Sequence, residues 1–511
     1  MAATFIVDFE NFFILIILCL FSFLCYHFFF KKPNDSEGCD LPPSPPSLPI
    51  IGHLHHLLSL LLHKRLQKLS SKYGHILYLR VLNVPIVLVS SASIAYEIFK
   101  AQDMNVSDRN LPTNEGSLFF GSFGFVTAPY EDYFKFVKKL ITTKLLGPQA
   151  LERSRGVRAD EVNQFYLNLV DKAMKKESVE IAKEAMKLIS NNTWKMLMGK
   201  GFSERGEVER VRGLVAQTDV VSKKFFVAAV LRKPLAKLGI SLFKKDLVSI
   251  SCRYDELLEK SLVEYEEEHN QSSEMLDVLL EACQGEKTAE CKITRNHIKA
   301  LFVDFFVAGT VTTTNSVQWT MAEVLNNPKI LERLREEIDS VIGKTRLIQE
   351  TDLPNLPYLQ AVVKEALRLH PPAPLGLRSF REGCKVVGFD VLAKTTLIIN
   401  WYAIMRDPDV WEYPEECRPE RFLSSSQEDE IKEEVLKYIP FGRGRRGCPG
   451  SNLGYLSVGT AVGVMVQCFD WKIEEDKVNK EEGRGTMTLT MAHPLKCTPL
   501  LRNPNLLPSI L

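Results

Sequence analysis

The chain has 511 residues, 45% of them hydrophobic and 25% charged, which is the composition of an ordinary globular protein. A formal net charge of +1 gives no support for nucleic-acid binding, which requires a concentrated basic surface. The 11 cysteines are scattered without a CxxC pair, so neither a zinc site nor a disulfide framework is indicated, and a reducing, cytosol-facing location fits.

Near the N-terminus, Phe12 to Phe30 is a nearly all-apolar run without charge that is long enough to cross a bilayer as a helix. Lys31 and Lys32 follow it and favour the cytosolic side, so the N-terminus is expected in the lumen. The alternative is a cleaved signal peptide, but its basic leading region is absent here. We therefore predict a membrane anchor over residues 1–32.

Proline dominates the next stretch, Leu41–Pro49, which predicts a stiff, extended segment. It could be a simple spacer or a ligand for another protein. Directly after an anchor, however, it is better placed to orient a catalytic domain on a membrane. We predict a hinge over residues 33–52 and, since no change in composition separates a second domain, one catalytic domain over residues 53–511.

Three nearby histidines, His53, His55 and His56, suggest a metal site at first sight. No partnering pattern of further ligands accompanies them, so we do not predict a metal there.

A short β region precedes a mainly helical chain. Ile76–Leu79 and Ile86–Val89 predict a hairpin, whereas helical patterns dominate from about residue 91. Thr294 is expected to cap a long helix that ends near Asn326, because Asn327-Pro328 follows. The predicted fold is mainly α-helical with a small β component.

Two charged motifs lie in the second half of the chain. Glu365 and Arg368 are three positions apart on a predicted helix and can pair on one face, although such pairs are commonly solvated. The second motif, Pro419-Glu420-Arg421-Phe422, lies between this helix and the last cysteine-containing loop.

The most informative stretch is the glycine- and arginine-rich loop from Phe441 to Gly450, which contains Cys448. A cysteine thiolate is the axial ligand that favours O–O cleavage on haem iron. Glycines such as Gly444 let the backbone approach the porphyrin, and Arg446 can pair with a haem propionate. A lone cysteine after such a turn is commonly a small buried hydrophobe. The full spacing Phe-x-x-Gly-x-Arg-x-Cys-x-Gly favours the haem ligand.

This spacing resembles the haem-binding signature of the cytochrome P450 superfamily, and the resemblance extends over nearly the whole chain. Ala366–Pro374 and Pro440–Gly450 are similar to plant microsomal members. Leu495–Pro499 and Tyr438–Pro440 resemble a crucifer branch associated with triterpenoid metabolism. The resemblance implies the cytochrome P450 fold and a haem-thiolate monooxygenase whose haem b iron is ligated by Cys448.

The resemblance also implies roles for further residues. Glu365, Arg368 and Arg421 would form a buried structural network. The cofactor-binding residues would be Cys448, Arg446, Phe441, Gly444, Gly450, Arg378 and Lys138. Relatives commonly carry tryptophan and arginine at the positions of Phe134 and Lys138. Phe134 cannot donate a hydrogen bond, while Lys138 still supplies a point charge.

The stretch Ala308–Thr313 occupies the place of the superfamily's oxygen-activating motif, in which Ala308, Gly309 and Thr312 would act in catalysis. A serine- and threonine-rich kink in a buried helix is the alternative. Relatives usually have an acid where this chain has Val311, and valine cannot deliver protons. Either another group or a water chain supplies them, or O–O cleavage is slowed. A longer-lived reduced oxygen species can attack a carbonyl group, so oxidative C–C bond cleavage is a hypothesis beside hydroxylation.

By resemblance, electrons come from NADPH through a cytochrome P450 reductase, and the single-pass protein lies in the endoplasmic reticulum membrane with its catalytic domain facing the cytosol. The substrate is expected to be hydrophobic, with a triterpene alcohol as the favoured class. Its lining residues would be Phe119, Phe120, Phe123, Val303, Phe306, Val307, Leu375 and Met487, although core packing is an alternative for several of them. A basic face for docking the acidic reductase, or else a generic solvated surface, comprises Lys135, Lys138, Lys139, Lys144, Arg443 and Arg445.

Two other functions remain open on the sequence. A haem-thiolate isomerase or dehydratase would act on a hydroperoxide without a reductase, but the retained Ala308-Gly309 and Thr312 argue against it. A non-catalytic haem-binding protein is supported only by Val311 and Phe134.

Overall fold

The computed structural model describes residues 38–109, 111, 123–199, 205–236, 244–267, 274–284, 293–423, 437–485 and 487–502, with the short stretches 18–19 and 21–22. These two stretches are helical, and the rest of the predicted anchor lies outside the described residues. Among the described helices, one is long and apolar enough to cross a membrane: Arg295–Asn326. Its apolar stretch of 18 residues is 72% buried, as expected for the core helix of a globular domain.

Helices form the larger part of the described chain, as the sequence predicts. In chain order they are α1 (Leu54–Leu57), α2 (Leu62–Tyr73), α3 (Ala92–Ala101), α4 (Asp132–Leu140), α5 (Pro148–Arg153), α6 (Arg155–Met174), α7 (Ile181–Met198), α8 (Arg205–Ala236), α9 (Lys244–Glu267), α10 (Glu274–Gln284), α11 (Arg295–Asn326), α12 (Pro328–Val341), α13 (Pro357–Leu369), α14 (Trp401–Ile404) and α15 (Ser451–Cys468). Short 3₁₀ turns span Glu350–Asn355, Pro419–Phe422 and Gly444–Arg446, and a π turn extends α4 over Ile141–Leu145.

The β component is small and lies beside the helices. The strands are β1 (Ile76–Val81), β2 (Val84–Val89), β3 (Val179–Glu180), β4 (Gly376–Ser379), β5 (Cys384–Val386), β6 (Phe389–Val391), β7 (Thr396–Ile399), β8 (Phe469–Lys472) and β9 (Lys496–Leu501). The predicted hairpin is confirmed as antiparallel β1 and β2, and the sheet continues in the order β1-β2-β7-β4. In the antiparallel β4–β7 pair, Arg378 stands opposite Leu397. The mainly α fold class is therefore confirmed.

Helix α11 has the predicted start and end. The backbone N–H of Thr294 donates to Nδ1 of His297 at 3.1 Å, which caps the first turn. The helix stops at Asn326, and Pro328 opens α12 because proline fits the first helical turn without needing an N–H partner. Most residues of α11 beyond its first turn are buried, so the helix runs through the core and not along its surface.

The proline-rich segment is fastened to the β1 strand. His53 Nδ1 accepts the backbone N–H of Arg80 at 2.9 Å, which leaves its Nε2 to donate to the carbonyl of Pro45 at 2.9 Å. The N–H of Tyr78 donates to the carbonyl of Pro43 at 2.8 Å. Both ring nitrogens of His53 are thus used by backbone groups, and this histidine is explained without a metal.

Candidate active site

The loop around Cys448 has a tight, glycine-dependent shape. Gly442 and Gly444 adopt φ of +66° and +71°, in the left-handed region that side chains rarely occupy. A Cβ on Gly444 would also lie 2.1 Å from Oδ1 of Asp103. The N–H of Cys448 donates to the carbonyl of Phe441 at 3.0 Å and closes the loop. Position 444 therefore favours glycine by its conformation, and a larger residue would also displace the side chain of Asp103.

The thiol of Cys448 is accessible to a small molecule, although it lies deep in the protein. Burial raises the pKa of this thiol, while the backbone N–H of Gly450 and the positive charges of Lys138 and Arg109 oppose the rise. A side chain that is both accessible and desolvated faces internal space. The same donor and charges would favour a thiolate ligated to a metal ion.

Helix α11 presents its small residues to internal space. Ala308 is exposed although the helix around it is buried, and no atom lies within 4 Å of a Cβ placed on Gly309. Burial lowers the pKa of Arg109, while the charges of Asp304, on α11, and of Cys448 raise it. The cysteine loop and this part of α11 therefore flank the same region, as the predicted pairing of Cys448 with Ala308 and Gly309 requires.

The hydroxyl of Thr312 donates to the carbonyl of Ala308 in the preceding turn of α11. A threonine hydroxyl has one proton and two acceptor lone pairs. In this conformation it can accept a hydrogen bond from a bound molecule, and it must rotate away from Ala308 before it can donate one. The predicted role of Thr312 toward dioxygen therefore includes a rotation of its side chain.

Arg446 is held rigidly beneath the cysteine loop. Its Nε donates to the carbonyl of Ser107 at 2.7 Å and its Nη2 to that of Ala128 at 2.5 Å. The guanidinium lies 3.8 Å from the ring centroid of Phe134, a cation–π contact. Among the described residues its buried Nη1 has no hydrogen-bond partner. The ring of Phe134 therefore supports the guanidinium of Arg446.

Arg446 belongs to a group of four cations, which also contains Arg109, Lys138 and Arg378. Burial, followed by the charges of Arg109 and Arg446, holds the pKa of Arg378 well below its usual value. Burial and the charge of Arg109 likewise lower the pKa of Arg446 to about 9. Lys138 donates to the carbonyl of Gly447, beside the cysteine. Such a concentration of buried positive charge is stabilised by an anionic ligand.

These features fit a haem. The accessible Cys448 would ligate the iron, the small residues of α11 leave room on the other side, and the unpartnered Nη1 of Arg446 suits a propionate. When bound, a haem supplies dioxygen binding and O–O cleavage, with the thiolate favouring the cleavage. The protein contributes the ligand, the counter-charges and an apolar enclosure.

The structure brings Glu365, Arg368 and Arg421 together. Arg368 is fully buried, and its Nε and Nη2 donate to the two carboxylate oxygens of Glu365 at 2.7 and 2.9 Å. Arg421 Nε donates to Glu365 Oε1 at 3.2 Å. The remaining donors of Arg368 bond the carbonyls of Met405, Pro414 and Glu416. The network ties α13 to the chain that leads into the cysteine loop.

The predicted substrate-lining residues divide into three groups. Phe119 and Phe120 lie outside the described residues. Val303 and Phe306 are 0% and 1% exposed, within a helical cluster where Phe306 packs 5.6 Å from the ring of Trp194, so the prediction is corrected to core packing for both. The others retain accessible surface: Phe123, Val307, Leu375 and Met487.

Sequence reasoning missed two residues of this site, Arg109 and Asp304. Asp304 is buried, accepts the N–H of Val126 at 3.2 Å and has no partner for its Oδ1 among the described residues. Burial raises the pKa of Asp304 to about 7, against the backbone N–H groups of Val126 and Phe125 and the charge of Arg109. A lone acid in an apolar helical run was a visible signal for Asp304. Nothing in the sequence distinguished Arg109.

Replacing Asp304 by asparagine is expected to change how stability depends on pH. The folded protein keeps the carboxyl proton of Asp304 up to a pH of about 7, whereas the unfolded chain releases it near the ordinary pKa of 3.8. The group therefore lowers stability progressively as pH rises between these values. Asp304→Asn removes this loss, on the order of a few kcal/mol at pH 8.

The measurement is the thermal unfolding midpoint of the haem-loaded protein between pH 5 and 8. The gain of Asp304→Asn over the unmutated protein should grow with pH to several degrees. Asp171→Asn, in an exposed pair with Lys175, serves as the control and should give no such trend. A gain for Asp304→Asn that is equal at every pH contradicts the assignment.

The helical fold, the cysteine loop and the buried cations define a haem-thiolate protein. The sequence profile of the family "Cytochrome P450" matches residues 42–498, and the chain belongs to this family. It is a cytochrome P450 monooxygenase whose cofactor is haem and whose electrons come from NADPH through a reductase.

Several curated proteins resemble the chain over nearly all its length. Cytochrome P450 705A22 and cytochrome P450 705A5 of Arabidopsis thaliana are each 63% identical to it, over 98% and 99% of this chain and 98% and 100% of theirs. A 3,9-dihydroxypterocarpan 6A-monooxygenase of Glycine max is 37% identical over 95% of this chain and 98% of its own. The relationship to plant cytochromes P450, and to a crucifer subfamily among them, is thereby confirmed.

A solved zebrafish cytochrome P450 with progesterone superposes with a TM-score of 0.72 at 23% identity, covering 86% of this chain and 99% of its own. The corresponding structure with abiraterone gives a TM-score of 0.71 at the same identity and coverage. At this identity the similarity concerns the fold alone, and it supports the cytochrome P450 fold for this chain.

Proposed function

We propose that the protein hydroxylates a hydrophobic plant metabolite, with a triterpene alcohol as the favoured substrate class. The observation that carries the monooxygenase chemistry is the accessible Cys448 beside the open face of α11 at Ala308 and Gly309. The apolar side chains of Leu375 and Met487, which pack in one cluster yet retain accessible surface, support an apolar ligand.

The test uses membranes that contain the full-length protein and a plant NADPH-cytochrome P450 reductase. They are incubated with a panel of triterpene alcohols, and the products are identified by mass spectrometry. Oxygenated products that require NADPH and dioxygen support the proposal. Conversion of a hydroperoxide without NADPH would favour the isomerase or dehydratase. No turnover of any substrate by a protein with an intact haem spectrum would favour a non-catalytic haem protein.

A second candidate reaction, oxidative C–C bond cleavage, is favoured by the surroundings of Val311. This side chain is 8% exposed and packs in the apolar cluster between the helices. Asp304, the nearest acid before Thr312 on α11, lies eight residues away, about 12 Å along the helix axis. A slow proton supply at Thr312 would extend the time available for attack on a carbonyl group.

Replacing Val311 by aspartate is expected to increase the share of hydroxylated product and the product formed per NADPH, by about threefold or more. The reason is that a carboxyl group next to Thr312 supplies the missing proton donor. Asparagine has the shape of aspartate but no titratable proton, so Val311→Asn controls for the cost of burying a polar group. Unchanged products and coupling in Val311→Asp would mean that the missing acid has no consequence.

We further propose that the reductase docks on the basic face near the cysteine loop. Lys135, Lys139, Lys144 and Arg445 are exposed there, whereas Lys138 points inward to the carbonyl of Gly447. Exposed positive charge attracts an acidic partner and raises its association rate at low salt. The N-terminal residues 1–32 are proposed to anchor the protein in the endoplasmic reticulum membrane with the catalytic domain in the cytosol, on the basis of their apolar run and the following lysines.

A further inference from the structure

A carboxylate on α8 is held against the C-terminal segment of the chain. The hydroxyl of Thr488 lies 2.9 and 3.1 Å from the two carboxylate oxygens of Asp219 and donates its one proton to this carboxylate. These two residues are 269 positions apart in the chain. The contact therefore joins helix α8 to the segment around Thr488, which is not part of a regular helix or strand.

Hydrogen bonds place this segment between α11 and the chain that enters β4. The N–H of Leu489 donates to the carbonyl of Pro372 at 2.9 Å, and the Nε1 of Trp319, on α11, donates to the carbonyl of Leu489 at 3.0 Å. Trp319 lies two turns beyond Thr312 on the same helix. The segment around Thr488 therefore contacts α11 about two turns beyond the oxygen motif.

The surroundings of the Asp219–Thr488 contact are apolar and partly open. Met487, the residue before Thr488, packs in one cluster with Leu375 and with Leu231 of α8. Met487 and Leu375 retain accessible surface and are two of the predicted substrate-lining residues. Asp219 itself is half-buried. The carboxylate thus lies at the edge of an apolar surface suited to a hydrophobic substrate.

The charge of Asp219 is incompletely compensated. Burial raises the pKa of its carboxyl, and the hydrogen bond from Thr488 is the one opposing influence; no cation among the described residues contributes. A carboxylate has about four acceptor positions, and a single hydroxyl proton fills one of them. Its remaining acceptor positions can take hydrogen bonds from water or from a ligand that brings a donor.

We propose that Asp219, oriented by Thr488, is the polar anchor that accepts a hydrogen bond from a hydroxyl group on an otherwise apolar substrate. The inference deepens the proposed function and rests on it, because it assigns a recognition group to the alcohol of a triterpene alcohol. A carboxylate accepts and does not donate, so it distinguishes an alcohol from its methyl ether, which has lost the donor. Thr488 is a positioning residue for this contact.

The experiment measures binding and needs no turnover. The full-length, haem-loaded protein is titrated with lupeol and with its 3-O-methyl ether, and the change in the haem absorption spectrum gives each dissociation constant. The unmutated protein should bind lupeol about tenfold or more tightly than the ether, since only lupeol can donate a hydrogen bond to the charged carboxylate. In Asp219→Leu the two constants should become equal, mainly through weaker lupeol binding.

Three further variants complete the series. Asp219→Asn preserves the shape and an acceptor but removes the charge, so it should retain a reduced preference for lupeol. If Asp219→Leu does not fold, the result for Asp219→Asn decides whether Asp219 is the anchor. Thr488→Val should weaken lupeol binding less than Asp219→Leu. Glu209→Leu removes an exposed acid of the same helix and should leave both constants unchanged.

The outcomes separate this inference from the proposed function. If the unmutated protein binds lupeol and its ether equally, or if Asp219→Leu and Asp219→Asn both keep the full preference, the anchor is overturned and the substrate class is unaffected. If the haem spectrum is intact but neither compound binds, the triterpene alcohol class and its anchor are overturned together.

Discussion

Replacing Cys448 by alanine is expected to abolish monooxygenase activity and the thiolate signature of the haem. The Cys448 sulfur is the accessible thiol of the loop beside α11, with the N–H of Gly450 and the charge of Lys138 arranged to favour its ionised form. Loss of groups that only support a metal ligand typically costs 10- to 100-fold. Loss of the ligand itself should therefore reduce turnover by more than about a hundredfold.

The measurement is the carbon monoxide difference spectrum of the reduced protein, together with NADPH-dependent product formation. Cys448→Ala should lack the red-shifted band that a thiolate ligand produces, even if some haem remains bound through the cationic group. Cys252→Ser, at an exposed cysteine, is the matched control and should keep both the band and the activity. Turnover that survives in Cys448→Ala would contradict the haem-thiolate assignment.

Replacing Glu365 by alanine is expected to prevent stable folding and haem retention. The change leaves the guanidinium of Arg368 buried, with its Nε and part of its Nη2 without a carboxylate partner. It also removes the acceptor of the Nε of Arg421. Breaking a fully buried ion pair by removing one partner costs about 3–5 kcal/mol. That is a large fraction of the stability of a typical domain.

Two measurements test the effect of Glu365→Ala: the haem content of the purified protein and its urea unfolding midpoint. Arg368→Ala should behave like Glu365→Ala, and removing both residues together should cost less than the sum of the two single changes, because neither charge is then left alone. Lys175→Ala, in the exposed pair with Asp171, should change the free energy of unfolding by about 0.5 kcal/mol or less. Normal haem content in Glu365→Ala would refute the structural role of the network.

The electrostatics of the cofactor region depend on residues from distant parts of the chain. Arg109, Lys138, Arg378 and Arg446 come from four separate segments. Besides burial, the charges of the three arginines all lower the pKa of Lys138. Only Arg446 is adjacent to the cysteine motif in sequence. Phe134 has no polar function in this group; its ring supports the guanidinium of Arg446.

The features that local physics controls could be predicted from the sequence. The β1–β2 hairpin, the start of α11 at its Thr294 cap and its end before Pro328 all follow from backbone preferences of a few adjacent residues. The cysteine loop belongs with them, since positive φ at Gly444 is a property of that glycine and its neighbours. These signals were sufficient to predict a mainly helical haem-thiolate protein.

Which side chains meet is set by the packing of the whole chain. The sequence could not show that Asp219 contacts Thr488, that Arg109 lies near both Asp304 and Cys448, or that Phe306 packs in the core. Each of these facts depends on contacts between residues that are far apart in the chain, and such contacts are set by the packing of whole helices. Helical periodicity identifies an apolar face, but what that face meets, another helix or a bound ligand, is decided only when the helices assemble.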